Sequence, residues 1–162
     1  MTVNKNIPVI ILVFVCGILA GAILTGIILP WQVHPIKQAV FSENSPKPIG
    51  PYNQAVESGD FVFLSGQIGI DPATGNLTSG TADGQMTQVM KNLGAVLQAS
   101  GLGFDDVVQT RIYFTDMNDW DTINRIYAAS FNGTYPSRAA ILVAGLPKSA
   151  RVEVEMVAQK HC

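Results

Sequence analysis

Histidine and cysteine are scarce in this chain of 162 residues, at two each. His34 and His161 lie outside every patterned segment, so a Ser-His-Asp or Cys-His nucleophilic site is not expected. Cys16 sits inside an apolar run and Cys162 ends the chain; the pair is poorly placed for an internal disulfide and says nothing about redox compartment. No His/Cys cluster has metal-ligand spacing, so no metal and no cofactor is implied. Charge is sparse, at 14% of residues, and nearly balanced, with 10 basic against 12 acidic side chains. No basic stripe is present, which argues against a nucleic-acid partner.

Charge is missing altogether from Ile7 to Leu29, a run of 23 residues. That exceeds the roughly 20 residues a helix needs to cross a bilayer, and the run shows no polar face. We expect an N-terminal membrane segment over residues 1–33, followed by one domain over 34–162. Signal peptides have shorter apolar regions ending in small residues. Ala20-Gly21-Ala22 could be such a site, but apolar residues continue beyond it. A retained anchor is therefore favoured over a cleaved signal that would release a secreted domain. Trp31 suits the interfacial belt and Pro30 a helix end. The weak charge asymmetry is read with the N-terminus inside and the domain periplasmic or otherwise extracytoplasmic.

Beyond the linker 30–37, periodicity gives strands at Lys37–Phe41, Asn53–Ser58 and Phe61–Gln67, the latter two joined at Gly59-Asp60. Alternation in the third strand puts Phe61, Phe63 and Ser65 on one face and Val62, Leu64 and Gly66 on the other. A helix is predicted from about Thr81 to Ser100. Its core stripe is Met86, Val89, Leu93, Val96 and Leu97, and Gly101 is its stop. A strand at Val107–Thr115 precedes a second helix, about Asn118–Phe131, with Trp120, Ile123 and Tyr127 inward. Strands at Ala139–Ala144 and Arg151–Gln159 close the chain. This order implies an α+β fold: one six-stranded mixed sheet with two helices on one face.

Four segments carry candidate chemistry. They are Ile49-Gly-Pro-Tyr-Asn-Gln-Ala-Val56, Leu64-Ser-Gly-Gln-Ile-Gly-Ile-Asp-Pro-Ala-Thr-Gly75, Asp116-Met-Asn-Asp-Trp-Asp-Thr-Ile-Asn-Arg-Ile-Tyr127, and the stretch from Tyr135-Pro-Ser-Arg138 to Arg151-Val-Glu-Val-Glu155. Taken singly they have bland readings. Arg138 reads as an exposed loop charge, Glu153 and Glu155 as a solvated strand face, Ser65-Gly66 as a tight strand approach, and Tyr52 beside Pro51 as turn packing.

In this order and at these intervals, the segments closely resemble the RidA (YjgF) family over about residues 37–160. The resemblance implies a RidA/chorismate-mutase-like homotrimer with three clefts at subunit interfaces. It further implies hydrolysis of imines tautomerised from enamines such as 2-aminoacrylate, giving a 2-keto acid and ammonia. Arg138 matches the arginine that holds the substrate carboxylate, and Glu153 the carboxylate that positions water. Tyr52 and Ser65 match pocket residues, and Asn124 the cleft wall. Ala140 stands where many relatives have cysteine.

The chemistry is consistent with these residue types. A guanidinium grips a carboxylate with two parallel donors, and a carboxylate can hold water and move its proton. A protonated imine already reacts with water, so neither metal nor covalent nucleophile is required. The competing expectations are a non-catalytic small-molecule-binding module of the same family, tethered or exported, and a structural or interaction protein. RNA cleavage finds no basic, aromatic-rich surface here.

Overall fold

The computed structural model describes residues 37–161. The last strand explains the architecture. In β6 (Val152–Gln159), Val152, Val154, Met156 and Ala158 are buried, while Glu153, Glu155 and Val157 are only half-buried on the opposite face. A strand with one fully apolar face and one mixed face belongs in a sheet covered on one side. β6 lies between β3 (Phe61–Ile68) and β4 (Val107–Phe114) in the order β1-β2-β3-β6-β4-β5, with β1 at Gln38–Val40, β2 at Ala55–Ser58 and β5 at Ser137–Leu142. Every pairing is antiparallel except β4 with β5. That parallel pair needs a crossover, and the chain between them holds α2 (Trp120–Ala128). The single six-stranded mixed sheet with two helices matches the expectation.

α1 (Ala82–Ala99) begins where Thr81 Oγ1 accepts the Gly84 amide at 3.3 Å and ends at Gly101, whose φ of +74° suits a residue without Cβ. Its predicted stripe, from Met86 to Leu97, is fully buried against Val62, Leu64, Ile112, Val154 and Met156. Each such aliphatic side chain contributes about 1.5–3 kcal/mol by leaving water. The uncovered face carries Phe61 and Phe63, both substantially exposed.

Three details depart from the expectation. β5 starts two residues earlier than predicted, so Arg138 stands inside a strand and not in the preceding loop. α2 is shorter at both ends, its first turn being the separate 3-10 segment Met117–Asp119, and Trp120 at its start is 37% exposed, not inward. β3 carries a bulge: Leu64 opposes Met156 and Gln67 opposes Val154, so Ser65 and Gly66 together face Glu155. Strict alternation fails there. Among the described residues no helix is long and apolar enough to cross a membrane. The apolar run 7–29 and the boundary at 33/34 lie outside the described residues.

Candidate functional site

The bulge in β3 builds the site. Two residues opposing one bend the strand and re-aim its side chains. Beyond it, Ile68 pairs with Glu153 on the open face of the sheet, and Ser65 and Gly66 both reach the space over Glu153. The resulting cleft, of about 280 Å³, is lined by Ile49, Tyr52, Ser65, Gly66, Ile68, Pro147 and Glu153. Tyr52, Ser65 and Glu153, far apart in the chain, are thus brought together.

The Ser65 and Tyr52 walls are fixed by hydrogen bonds. Ser65 donates its hydroxyl to the Asn53 carbonyl at 2.7 Å, and its amide donates to the Gln54 carbonyl at 3.0 Å. The hydroxyl oxygen keeps lone pairs for a ligand donor. Tyr52 Oη accepts the Ile49 amide at 3.3 Å. Gln54, 1% exposed, accepts the Ser42 amide and donates to the carbonyls of Ser42, Ser45 and Pro46, at 2.7–3.1 Å. This buried amide holds the proline-punctuated loop above the cleft. A Cβ at Gly66 would collide with Glu153 Oε1 and stand 3.0 Å from its carboxyl carbon, so glycine lets the carboxylate lie over the backbone.

Burial raises the proton affinity of Glu153 above the ordinary glutamate range, and the neighbouring Glu155 carboxylate raises it further. Glu155 itself is paired with Arg111. Glu155 thus ends in an ion pair, whereas Glu153 lines the cleft.

Arg138 is elsewhere. It opposes Thr110, which opposes Met156, whereas Glu153 opposes Tyr113; the two side chains therefore leave opposite faces of the sheet. The Arg138 guanidinium carbon sits 4.9 Å from the Tyr127 ring centroid and 5.9 Å from that of Trp120. Tyr127 donates its hydroxyl to Thr110 Oγ1 at 3.1 Å. Asn124, four residues after Trp120 and three before Tyr127, shares that flank of α2 by helical spacing. The other three arginines are paired with carboxylates: Arg111 with Glu155, Arg125 with Asp83, and Arg151 with Asp116 and Asp119. Arg138 has no ion pair among the described residues.

The chain therefore presents two candidate half-sites: a cleft with Tyr52, Ser65 and Glu153, and on the other face the Arg138 guanidinium, which has no ion pair among the described residues and lies against rings of α2, the helix that carries Asn124. Among the described residues no group of acidic, histidine or cysteine side chains could hold a metal ion. Sequence reasoning missed Ile49, Gly66, Ile68 and Pro147 as cleft walls, and Trp120 with Tyr127 as the arginine's support. The adjacent Ser65-Gly66 was the available signal for the bulge.

Fold and cleft define a small α+β domain with a pocket of small-molecule size on the open face of its sheet, over β3 and β6. Residues 42–160 match the family described as endoribonuclease L-PSP, and the chain belongs to this family, the RidA family. It is 43% identical over 123 residues to the human 2-iminobutanoate/2-iminopropanoate deaminase, a match covering 76% of this chain and 90% of that protein. Its fold is similar to that of RidA from an Antarctic Psychrobacter, with a TM-score of 0.73 at 38% identity over 75% of this chain and 98% of that one. It is likewise similar to E. coli TdcF with bound serine, with a TM-score of 0.74 at 35% identity over 76% and 99%.

Proposed function

We propose that this protein hydrolyses small 2-imino acids, formed from enamines of the 2-aminoacrylate type, to 2-keto acids and ammonia. The observation that carries this reading is the half-buried Glu153 in one cleft with Tyr52 and Ser65, complemented by an unpaired Arg138 on the other face of the same sheet. The two meet if copies assemble so that the Arg138 face of one covers the Glu153 cleft of the next, a closed ring such as a homotrimer. The names of the human relative and the serine bound to TdcF support a small amino-acid-derived ligand.

In the assembled site Arg138 grips the substrate carboxylate through two parallel hydrogen bonds. Glu153 accepts a proton from water as the water oxygen bonds to C2. The C=N π pair of the protonated imine moves to nitrogen, giving a neutral carbinolamine. Glu153 returns its proton to nitrogen, the C–N bond breaks with its electron pair on nitrogen, and the hydroxyl proton passes by way of the Glu153 carboxylate to the departing ammonia, which leaves as ammonium while C=O forms. Water is consumed, nothing is oxidised, and Glu153 ends as it began. Holding water and imine together contributes several kcal/mol through orientation, and a raised proton affinity suits a group that both takes and gives a proton. RNA cleavage is less well supported, since the chain's net charge is −2 and the second half-site offers one cation.

We also propose that residues 7–29 tether the domain to a membrane, with the domain outside the cytoplasm; the uncharged run supports this, and fractionation of cells expressing the full chain tests it. The enzymatic reading is tested by ammonia release from 2-iminopropanoate, made in situ from alanine by an amino-acid oxidase, with wild type against Arg138→Ala and Glu153→Gln. Loss of turnover in both is expected. Equal rates in all three remove these residues from the chemistry. Ligand binding without turnover in the wild type favours the non-catalytic module.

A further inference from the structure

The Glu153 cleft has three apolar walls, Ile49, Ile68 and Pro147. If the substrate carboxylate reaches toward Arg138 and its C2 lies near Glu153, the substrate side chain is left to these walls. They differ in what lies behind them. Ile68 is 7% exposed and backed by Ile70 and Ala150 in a small core of its own. Pro147 leads into Lys148 and Ser149, at φ of +56° and +58°, and Ala150 behind this turn is 2% exposed. Behind Ile49 there is space. A second recess of about 690 Å³ opens between the proline loop and the turn at residues 72–75, with Phe41, Pro46, Pro48 and Ile70 among its apolar walls. Among the described residues Ile49 alone lines both the cleft and this recess.

Its place is fixed from both sides. The Ile49 amide donates to Tyr52 Oη, and the Pro46 carbonyl of the same loop accepts from Gln54 Nε2 at 2.8 Å. The Ile49 side chain itself is 54% exposed and carries little of the fold's core. It is a partition held by its backbone.

We propose that Ile49 determines which 2-imino acids the site accepts, by stopping the substrate side chain at the boundary between cleft and recess. Small methyl- and ethyl-bearing substrates end at Ile49, whereas longer branched apolar side chains meet it. Removing the branched end of Ile49 joins the two spaces and admits the longer side chain. This rests on the deaminase reading above and deepens it.

The test compares kcat/KM of the full chain for 2-iminopropanoate and for 2-imino-4-methylpentanoate, generated in situ from alanine and leucine. Wild type should favour the smaller substrate. Ile49→Ala should raise the long-to-short ratio by about tenfold or more, the scale on which apolar pockets discriminate by a few carbons. Ile49→Val should move it the same way by less, and keeps the test decisive if the alanine variant folds poorly. Ratios unchanged within about twofold in both variants, with both substrates still turned over, overturn the partition and leave the deaminase reading standing. No turnover of either substrate by the wild type overturns that reading, and this inference with it.

Discussion

The two half-sites are held in different ways. Around Glu153 the loop and strand are held by hydrogen bonds, with Gln54 using its whole amide on the loop and Ser65 tied to Asn53, and Gly66 in the strand bulge leaves the space that the Glu153 carboxylate fills. Around Arg138 the support is a pair of aromatic rings on α2, which steer a cation without neutralising it. The protomer perturbs its carboxylate by burial and leaves its guanidinium exposed and unpaired. A half-buried carboxylate on one face and an exposed guanidinium on the other are the two groups that the proposed assembly of copies would bring together. Phe61 and Phe63 on the uncovered face add apolar surface that such an assembly would bury.

The largest expected effect comes from breaking each side separately. Arg138→Ala and Glu153→Gln should each lower kcat/KM on 2-iminopropanoate by about 10²–10⁴-fold, the range for losing a positioned proton-transfer or charge-stabilising group. Co-expressing the two variants sharpens the comparison. In randomly mixed rings roughly a quarter of the sites should pair an intact arginine with an intact glutamate, so activity should return to about that fraction of wild type. A site contained in one protomer predicts no recovery, because no variant chain holds both residues.

Gly66→Ala should come next, and should touch only the cleft side. The added Cβ displaces the Glu153 carboxylate, the end of a flexible side chain, while leaving the strand paired. A misplacement of that size can cost about 10²-fold in rate. We expect such a loss in kcat with little change in Tm, measured on the same preparation. A Tm falling in step with activity would mean that the bulge, not the carboxylate, gives way.

Titration should separate the two sides as well. Glu153 acts as a base only when ionised, so kcat/KM should fall as pH drops through its raised folded pKa, above the ordinary glutamate range. Glu155→Gln removes the second cause of that rise and should move the acid limb to lower pH. For stability the sign is opposite. A carboxyl whose folded pKa is raised contributes stability below its unfolded pKa and loses that contribution as pH rises through the folded one. Glu153→Gln should therefore match or exceed the wild-type Tm at pH 7 while losing activity. A lower Tm would show that the ionised carboxylate is held by bonds absent from this geometry.

Much of this was legible in the chain. Alternation in Val152–Gln159 and the stripe from Met86 to Leu97 specified sheet and helix, because burial enforces period on every residue of such segments. The motifs picked out Tyr52, Ser65 and Glu153, and the cleft contains all three. What failed did so where period breaks. The bulge put Gly66 beside Ser65 when alternation had placed them on opposite faces, and a bulge leaves no periodic trace. The early start of β5 turned Arg138 from a loop charge into a strand residue with a defined face. Which face it takes follows from register against β4, a long-range pairing that local pattern does not encode. The apolar run 7–29 lies outside the described residues, and the membrane tether proposed for it is argued from its uncharged sequence.

The smallest effect probes the aromatic support of the arginine. Tyr127 has two separable functions: its hydroxyl satisfies Thr110, which is fully buried, and its ring lies under Arg138. Tyr127→Phe removes the first and keeps the second. It should lower stability by about 1 kcal/mol, since Thr110 keeps its desolvated hydroxyl without that partner, and leave KM for 2-iminopropanoate unchanged. Tyr127→Leu removes the ring face as well. If the ring orients the guanidinium, KM should rise about threefold at nearly constant kcat, the equivalent of roughly 0.5–1 kcal/mol of cation–π attraction at an exposed site. Comparing the two variants cancels the shared loss of the hydroxyl. Equal KM values in both would mean that β5 alone aims Arg138, and that the contrast between a hydrogen-bonded cleft and a ring-steered arginine is one of appearance.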